Sequence, residues 1–429
     1  MDSIFQRRSS SGLAVRIATT CLSASLISAP LAGLAAGPLT LQEATQAAVD
    51  RAPMLEARRA GVAAAQEERA RAGALPDPML TIGIDNWPAT GSDAFDFRAD
   101  DMTMKKVGLR QDIPSRAKRS SLRSLASRQV DEALARAEAE RLAVRRASAG
   151  AWIALWTAQR ELIALQALRD QATLAAKAVN ARVAGGAGTA SDALAPEAAA
   201  LELDNRIEAA RARKAAAQAA LARWLGDVDI EVRNEEPDFE ALPVPEAHLL
   251  ARVDRLGSLL PAAAQVETAA AAVDVARAEK RPDWSLGVSY GQRDGGRSDM
   301  LMLEVGIGLP LFPRNRQDRG VAAREADYQG ALFIHEDLRR QETARIRADI
   351  ARWEGLKRQV ALHEASLLPL ARDRSVTALA AYRAGGDLQP WLDARRDELD
   401  IERSYAGYLG ELGLAWAALA FLLPSETQP

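Results

Sequence analysis

Residues 283–311 leave this chain few folds to choose from. Trp284, Leu286, Val288 and Tyr290 fall on every second position, with Ser285, Gly287, Ser289 and Gly291 between them. A period of two puts the first set on one face of a β-strand and the second on the other. After a turn of glycine and charged residues at 293–299, Leu301, Leu303, Val305, Ile307, Leu309 and Leu311 repeat the pattern against Met302, Glu304, Gly306 and Gly308. Two strands of about ten residues joined by a polar turn read as a hairpin long enough, when tilted, to cross a bilayer core. The flanking sequence is helical, so no second sheet is at hand to cover the apolar face, and lipid is its expected cover.

A weaker copy lies upstream. Leu80, Ile82 and Ile84 alternate with Thr81, Gly83 and Asp85; an Asp-rich loop spans 88–101; and a second strand at 102–113 sets Val107, Leu109 and Ile113 against Lys106, Gly108, Arg110 and Asp112. The rest of the chain repeats with it. Pro76-Asp77 returns as Pro282-Asp283, Val107-Gly108 as Val305-Gly306, Trp156 as Trp353, and Ala184-Gly185-Gly186 as Ala384-Gly385-Gly386, at displacements of 206, 198, 197 and 200 residues. A near-constant displacement across helix, strand and turn indicates an internal duplication of helix, β-hairpin, long helix and return helix.

The order along the chain follows. Residues 1–36 read as an export signal: Arg7, Arg8 and Arg16 precede an apolar stretch that ends in Ala35 and Ala36. The one cysteine, Cys21, sits inside that signal after Ala-Thr-Thr, so neither a disulfide nor a lipid anchor is expected. The first repeat occupies 37–226, with a capping-box helix opened by Thr40 and Glu43 and running to Ala72, a hairpin at about 78–113, a long helix at about 116–183 and a return helix at about 191–225. A linker at 227–245 carries three prolines; the second repeat, 246–424, has its hairpin at 283–311, long helix at 316–383 and return helix at 388–423, before a short tail at 425–429. Leu155, Leu162, Leu165, Leu168, Ala172 and Val179 recur at coiled-coil spacings, and a helix of that length runs about 100 Å, three times a bilayer core.

Two hairpins supply four strands, and four strands close around nothing. Open edges in hydrocarbon would leave backbone groups unpaired at several kcal/mol each, so the chain must join a larger ring of like subunits, with the long helices forming a tube beyond the wall. The competing reading is a soluble or surface coiled-coil protein whose hairpins pack on each other. A formal charge of -3 gives no case for nucleic acid as a partner. The histidines, His248, His335 and His363, are scattered, no cysteine lies beyond the signal, and no phosphate-binding loop occurs; the chain reads as a non-enzyme without cofactors.

Over nearly the whole mature chain, order and local sequence resemble the TolC family of outer-membrane efflux proteins. The residues that carry the resemblance are Leu39-Thr-Leu-Gln-Glu-Ala44, Pro76-Asp77-Pro78, Val305-Gly-Ile-Gly-Leu-Pro-Leu-Phe312 and the two Ala-Gly-Gly tips. It implies a mainly α protein with a membrane β-barrel segment: a homotrimer with a twelve-stranded barrel in outer-membrane lipid and an α-helical periplasmic tunnel. Its partners would be a periplasmic adaptor and an inner-membrane pump of RND type. Ile84-Asp-Asn-Trp-Pro88, Met102-Thr-Met-Lys105 and Val107-Gly-Leu-Arg-Gln-Asp-Ile-Pro114 resemble the heavy-metal efflux components of Czc and Cus type, some of which are lipidated at an N-terminal cysteine that this chain lacks. The implied function is a passive exit duct for heavy-metal cations; organic drugs or secreted polypeptides remain the alternative cargo.

Candidate functional residues fall in two places. Met102, Met104, Lys106, Arg110, Met300, Met302 and Glu304 share the polar strand face and are expected to line the channel. The Met-x-Met pairs read either as packing beneath the loops or as transient soft-metal contacts; no firm metal site is assigned. At the tips, Gly185, Gly186, Gly385 and Gly386 end helices, and with Asp192 and Asp387 they are candidates for docking or gating at the end farthest from the membrane.

Overall fold

The computed structural model describes residues 37–186, 190–226, 230–387 and 389–424; the export signal and the C-terminal tail expected from the sequence lie outside them. The chain enters at its waist. Leu39 forms a parallel bridge with Val232, and Thr40 caps helix α1 (Leu41–Arg51) by accepting the Glu43 N–H at 3.2 Å while the Glu43 carboxylate accepts the Thr40 N–H at 2.9 Å. Those two donors from Thr40, backbone first and hydroxyl second, hold the Glu43 carboxyl below the usual carboxylate range. The single helix expected as far as Ala72 is instead two. Ala52 is extended, with ψ at 117°, because Pro53 disfavours the helical conformation in the residue before it, and α2 (Pro53–Arg71) starts afresh.

Strands β1 (Met79–Asp85) and β2 (Met104–Ile113) follow, then α3 (Arg116–Ala184), 69 residues without interruption, and α4 (Ala190–Leu225). The second half runs α5 (Glu246–Ala251), α6 (Leu260–Ala278), β3 (Trp284–Arg293) and β4 (Met300–Ile307). It continues through α7 (Gln317–Leu362), a π turn at His363–Leu367, α8 (Leu368–Arg383) and α9 (Gln389–Ala420). The long helix expected at 316–383 is therefore broken. Pro369 has no N–H to donate and its ring crowds the carbonyl one turn back, and the wider π turn absorbs that conflict.

In the half nearer the strands, α2 and α6 flank α3, and α6 also contacts α7; in the far half, α4 and α9 flank α3, and α9 contacts α8. The main core sits at the waist between these halves. There Trp152, Ile153 and Trp156 of α3 meet Ala44 and Ala48 of α1, Leu221 and Leu225 of α4, and Leu409 and Leu412 of α9. Three indole N–H groups staple extended segments to this core: Trp152 donates to the Leu39 carbonyl at 3.0 Å, Trp353 to Phe239 at 2.9 Å and Trp416 to Ala241 at 2.8 Å. Leu165 with Ile207 and Ala210 forms a smaller seam between α3 and α4 farther down.

Candidate functional site

The four strands form one antiparallel sheet in the order β1-β2-β3-β4. Register sorts the two faces. Across the sheet, Leu80, Leu109, Val288 and Leu303 stand in one row and Ile82, Val107, Tyr290 and Leu301 in the next, all on the same side. This side is exposed: Ile82 and Leu303 are each 76% accessible, although Leu or Ile in a core would be near zero. The opposite face carries Thr81, Gly108, Ser289 and Met302 in one row and Met79, Arg110, Gly287 and Glu304 in another. Its charged groups balance, with Asp85, Asp112 and Glu304 against Lys106, Arg110 and Arg293. Lys106 pairs with Asp85 at 3.1 Å, and Arg110 reaches Asp112 at 3.3 Å and donates to the Ser285 hydroxyl at 3.3 Å. No ion-pair partner of Glu304 occurs among the described residues.

Met104, Lys106, Arg110, Met300, Met302 and Glu304 thus share the polar face, as the alternation demands. Met102 does not. Its N–H is taken by the Asp100 carboxylate at 2.8 Å and its carbonyl by the Asn86 side chain at 3.2 Å, so its backbone belongs to the loop and β2 begins two residues later than expected. The far end of the second hairpin is also shorter than the sequence suggests. Gly308 donates to the Asp283 carbonyl at 2.9 Å and Pro310 has no N–H, so the ladder stops at Ile307 and exposed Leu309 and Leu311 lie beyond it. Met79 was missed as a polar-face residue, with parity to Thr81 the available signal, and Gly291, placed on that face by its parity, was not counted among the candidate residues.

The loop acids are mostly exposed, yet several are engaged locally. Asp96 accepts the Arg98 N–H at 2.8 Å, and Asp101 pairs with Arg297 across the two loops. Aromatic rings gather beside them: Trp87 stacks on Phe97 at 4.7 Å and meets Phe95 edge-on at 5.5 Å. At the other end of the sheet, the Asp283 carboxylate accepts the Ser115 N–H at 2.8 Å and the Lys118 ammonium at 3.0 Å, which fastens the second hairpin to the start of α3.

At the tips, Gly385 is left-handed at φ 98°, and its N–H and that of Gly386 turn back to the Tyr382 and Ala381 carbonyls at 3.0 Å, a closed helix terminus. In the first tip the left-handed residue is Gly186, at φ 77°, and Gly185 keeps φ at -80°. Asp387 is exposed and its carboxylate faces the start of α9, where the Gln389 N–H lies at 3.5 Å. Asp192 falls in the first turn of α4, with its side chain outside the described set. No helix among the described residues is long and apolar enough to cross a membrane, and no group of three or more His, Cys, Asp or Glu among them could hold a metal ion.

Residues 44–227 match the family model described as outer membrane efflux protein. No curated protein matches the chain. Among solved structures, CusC, whose structures follow folding and transmembrane channel formation, superposes with a TM-score of 0.75 at 16% identity, over 90% of this chain and 92% of that one. A membrane protein from Pseudomonas aeruginosa gives 0.74 at 20% identity, covering 89% and 92%, and the outer membrane protein VceC from Vibrio cholerae gives 0.72 at 19%, covering 89% and 96%. At such identities the likeness is one of fold.

Proposed function

The chain belongs to the outer membrane efflux protein family, and from that premise we propose that it is the passive exit duct of a tripartite pump: a homotrimer working with a periplasmic adaptor and an inner-membrane pump of RND type. The observation that carries the reading is the sheet. One face is apolar and open, the other is polar and rich in glycine, and both outer edges, β1 and β4, lack a partner strand among the described residues. Strands of ten residues rise about 33 Å and, tilted, match an outer-membrane apolar band of about 25 Å. Three copies joined edge to edge would close twelve strands and leave no backbone edge in lipid. The helices then run on into the periplasm for about 100 Å.

The cargo we propose is heavy-metal cations, supported by the resemblance at 84–88, 102–105 and 107–114 to metal efflux components. Single cysteines test the wall. Those at 304 and 306 should react with a water-soluble thiol reagent in intact outer membranes and those at 303 and 305 should not, whereas the reverse pattern would overturn the barrel. Cells lacking the gene test the cargo: tolerance to metal cations should fall while tolerance to organic compounds holds, and the opposite outcome would reassign the cargo.

A further inference from the structure

On the polar face, three methionines occupy positions around one glycine. Gly291 of β3 is paired with Lys106 on one side and Met300 on the other. Met104, the next residue of that face along β2, and Met302, the next along β4, complete its surroundings. A methyl group placed on Gly291 would sit 2.6 Å from the Met104 sulfur and 3.5 Å from the Met302 methyl. The absence of a side chain at 291 is therefore what lets the Met104 thioether lie across β3 toward its counterparts on β4. Met104 is buried at 5% exposure, and Met300 and Met302 are half-buried, so the group is shielded on one side and open on the other.

We propose that Met104, Met300 and Met302, gathered over Gly291, form a binding site for a soft monovalent cation, Cu(I) or Ag(I), on the channel wall near its outer mouth. This rests on the reading of the sheet as a channel wall and names a cargo class for it. Thioether sulfur is neutral and polarisable, which suits soft metals and gives little to Mg(II) or Ca(II), whose ligands are oxygen. Neutral ligands leave the bound ion its full charge. The fixed charges around the group are of both signs: Lys106 is paired at 3.1 Å with Asp85, the residue opposite Met104, Arg293 donates to the Ser298 carbonyl at 2.8 Å, and Glu304 is the next residue of the face after Met302. With neutral thioethers as its only ligands, the site holds its ion weakly, and a station in a conducting path must release what it binds.

The test uses the purified full-length trimer in chloride-free buffer, titrated with Ag(I) against a chromogenic chelator. The wild type should bind one Ag(I) per protomer. Met102→Leu, in the loop and outside the group, should bind as the wild type does. The triple variant Met104→Leu, Met300→Leu and Met302→Leu keeps volume and apolarity and should lose the site. Gly291→Ala, which displaces the Met104 sulfur while leaving every ligand in place, should weaken binding about 10- to 100-fold. If the triple variant fails to assemble, Gly291→Ala against the wild type decides alone. Unchanged Ag(I) binding in the triple variant or in Gly291→Ala, or no binding by the wild type, overturns the site. Conductance of the same wild-type trimer in planar lipid bilayers separates the two claims: its absence overturns the duct, whereas conductance without silver binding overturns the metal site alone.

Discussion

The two repeats follow the same path through space but are not mechanically alike. In the first, α3 runs without a break from the sheet to the tip. In the second, the same path is divided by the π turn at His363–Leu367, just ahead of Pro369. Polar and aromatic groups are gathered at that turn. The His363 ring lies 5.0 Å from Tyr408, and the Tyr405 hydroxyl donates to the Glu364 carboxylate; burial first, and that bond second, push the Tyr405 hydroxyl well above its usual range. Duplication thus produced one continuous strut and one strut with a joint in it. The difference rests on a single residue, since Pro369 has no counterpart between 116 and 183.

The waist offers the sharpest way to break this comparison. Trp156 and Trp353 are repeat counterparts, and each carries a cation one helical turn on: Arg160 lies 4.8 Å from the Trp156 ring and Lys357 4.6 Å from the Trp353 ring. Yet Trp156 is fully buried, with no hydrogen-bond partner for its N–H among the described residues, while Trp353 is half-buried and bonded to Phe239. Trp156→Ala should cost about 3–5 kcal/mol. Trp353→Ala should cost about 1–2 kcal/mol, from a half-buried ring and one hydrogen bond. The dissociation temperature of the trimer in detergent should rank them in that order, and equal losses would mean that the two waists carry the same load.

Much of this difference was beyond the reach of sequence alone. A period of two is a binary signal, so the assignment of Leu303 to one face and Glu304 to the other was legible, and so was the duplication. The effect of a lone proline was not. Pro53 restarts a helix and Pro369 widens one, and which occurs depends on the packing around each. The group over Gly291 was half legible: the Met-x-Met spacing pointed to Met102 and Met104 alike. Only the register of β2 against β3, which joins residues far apart in the chain, excludes Met102 and brings in Gly291. The pairing of Asp283 with Ser115 and Lys118 is likewise a contact between repeats, and no local pattern encodes it.

The tips sharpen the comparison next. Because Gly186 and Gly385 are left-handed, valine at either should cost about 1–3 kcal/mol of local strain, whereas valine at Gly185 meets no such penalty. Gly186→Val and Gly385→Val should reduce export at normal trimer levels, and Gly185→Val should not. An equal loss from Gly185→Val would show that bulk at the tip matters rather than backbone geometry.

The joint between hairpin and helix distinguishes what one protomer completes from what a second copy must supply. Asp283 is satisfied within the chain, but its counterpart Asp77 is exposed and without an ion-pair partner among the described residues. The same holds for Arg314, Arg316 and Arg319 at the start of α7, the segment equivalent to Ser115 and Lys118. A closed ring should bring these together between protomers. Asp283→Ala should cost about 1–2 kcal/mol within the protomer, while Asp77→Ala should lower only the dissociation temperature of the trimer. Cysteine at 77 combined with cysteine at 314, 316 or 319 should give a disulfide-linked trimer under mild oxidation. If none of the three pairs forms, the two joints are not equivalent.

The smallest expected effect lies where the repeats begin. The first opens on a complete capping box, whereas α5 and α6, at the start of the second, follow Pro245 and Leu259 and have no side-chain cap. Thr40→Ala should therefore cost about 1 kcal/mol and speed amide exchange in the first turn of α1 about fivefold. The start of α6 should show no comparable sensitivity. The cap also carries a pH signature. Because the folded state holds the Glu43 carboxyl below its usual range, its contribution is fully present above the ordinary carboxylate range and is lost as pH falls through the lowered value. Exchange at the Ala44 amide should accelerate over that acidic window in the wild type, beyond the intrinsic dependence of exchange on pH. In Glu43→Gln, which cannot titrate, the extra acceleration should vanish, and its persistence would place the titrating group elsewhere.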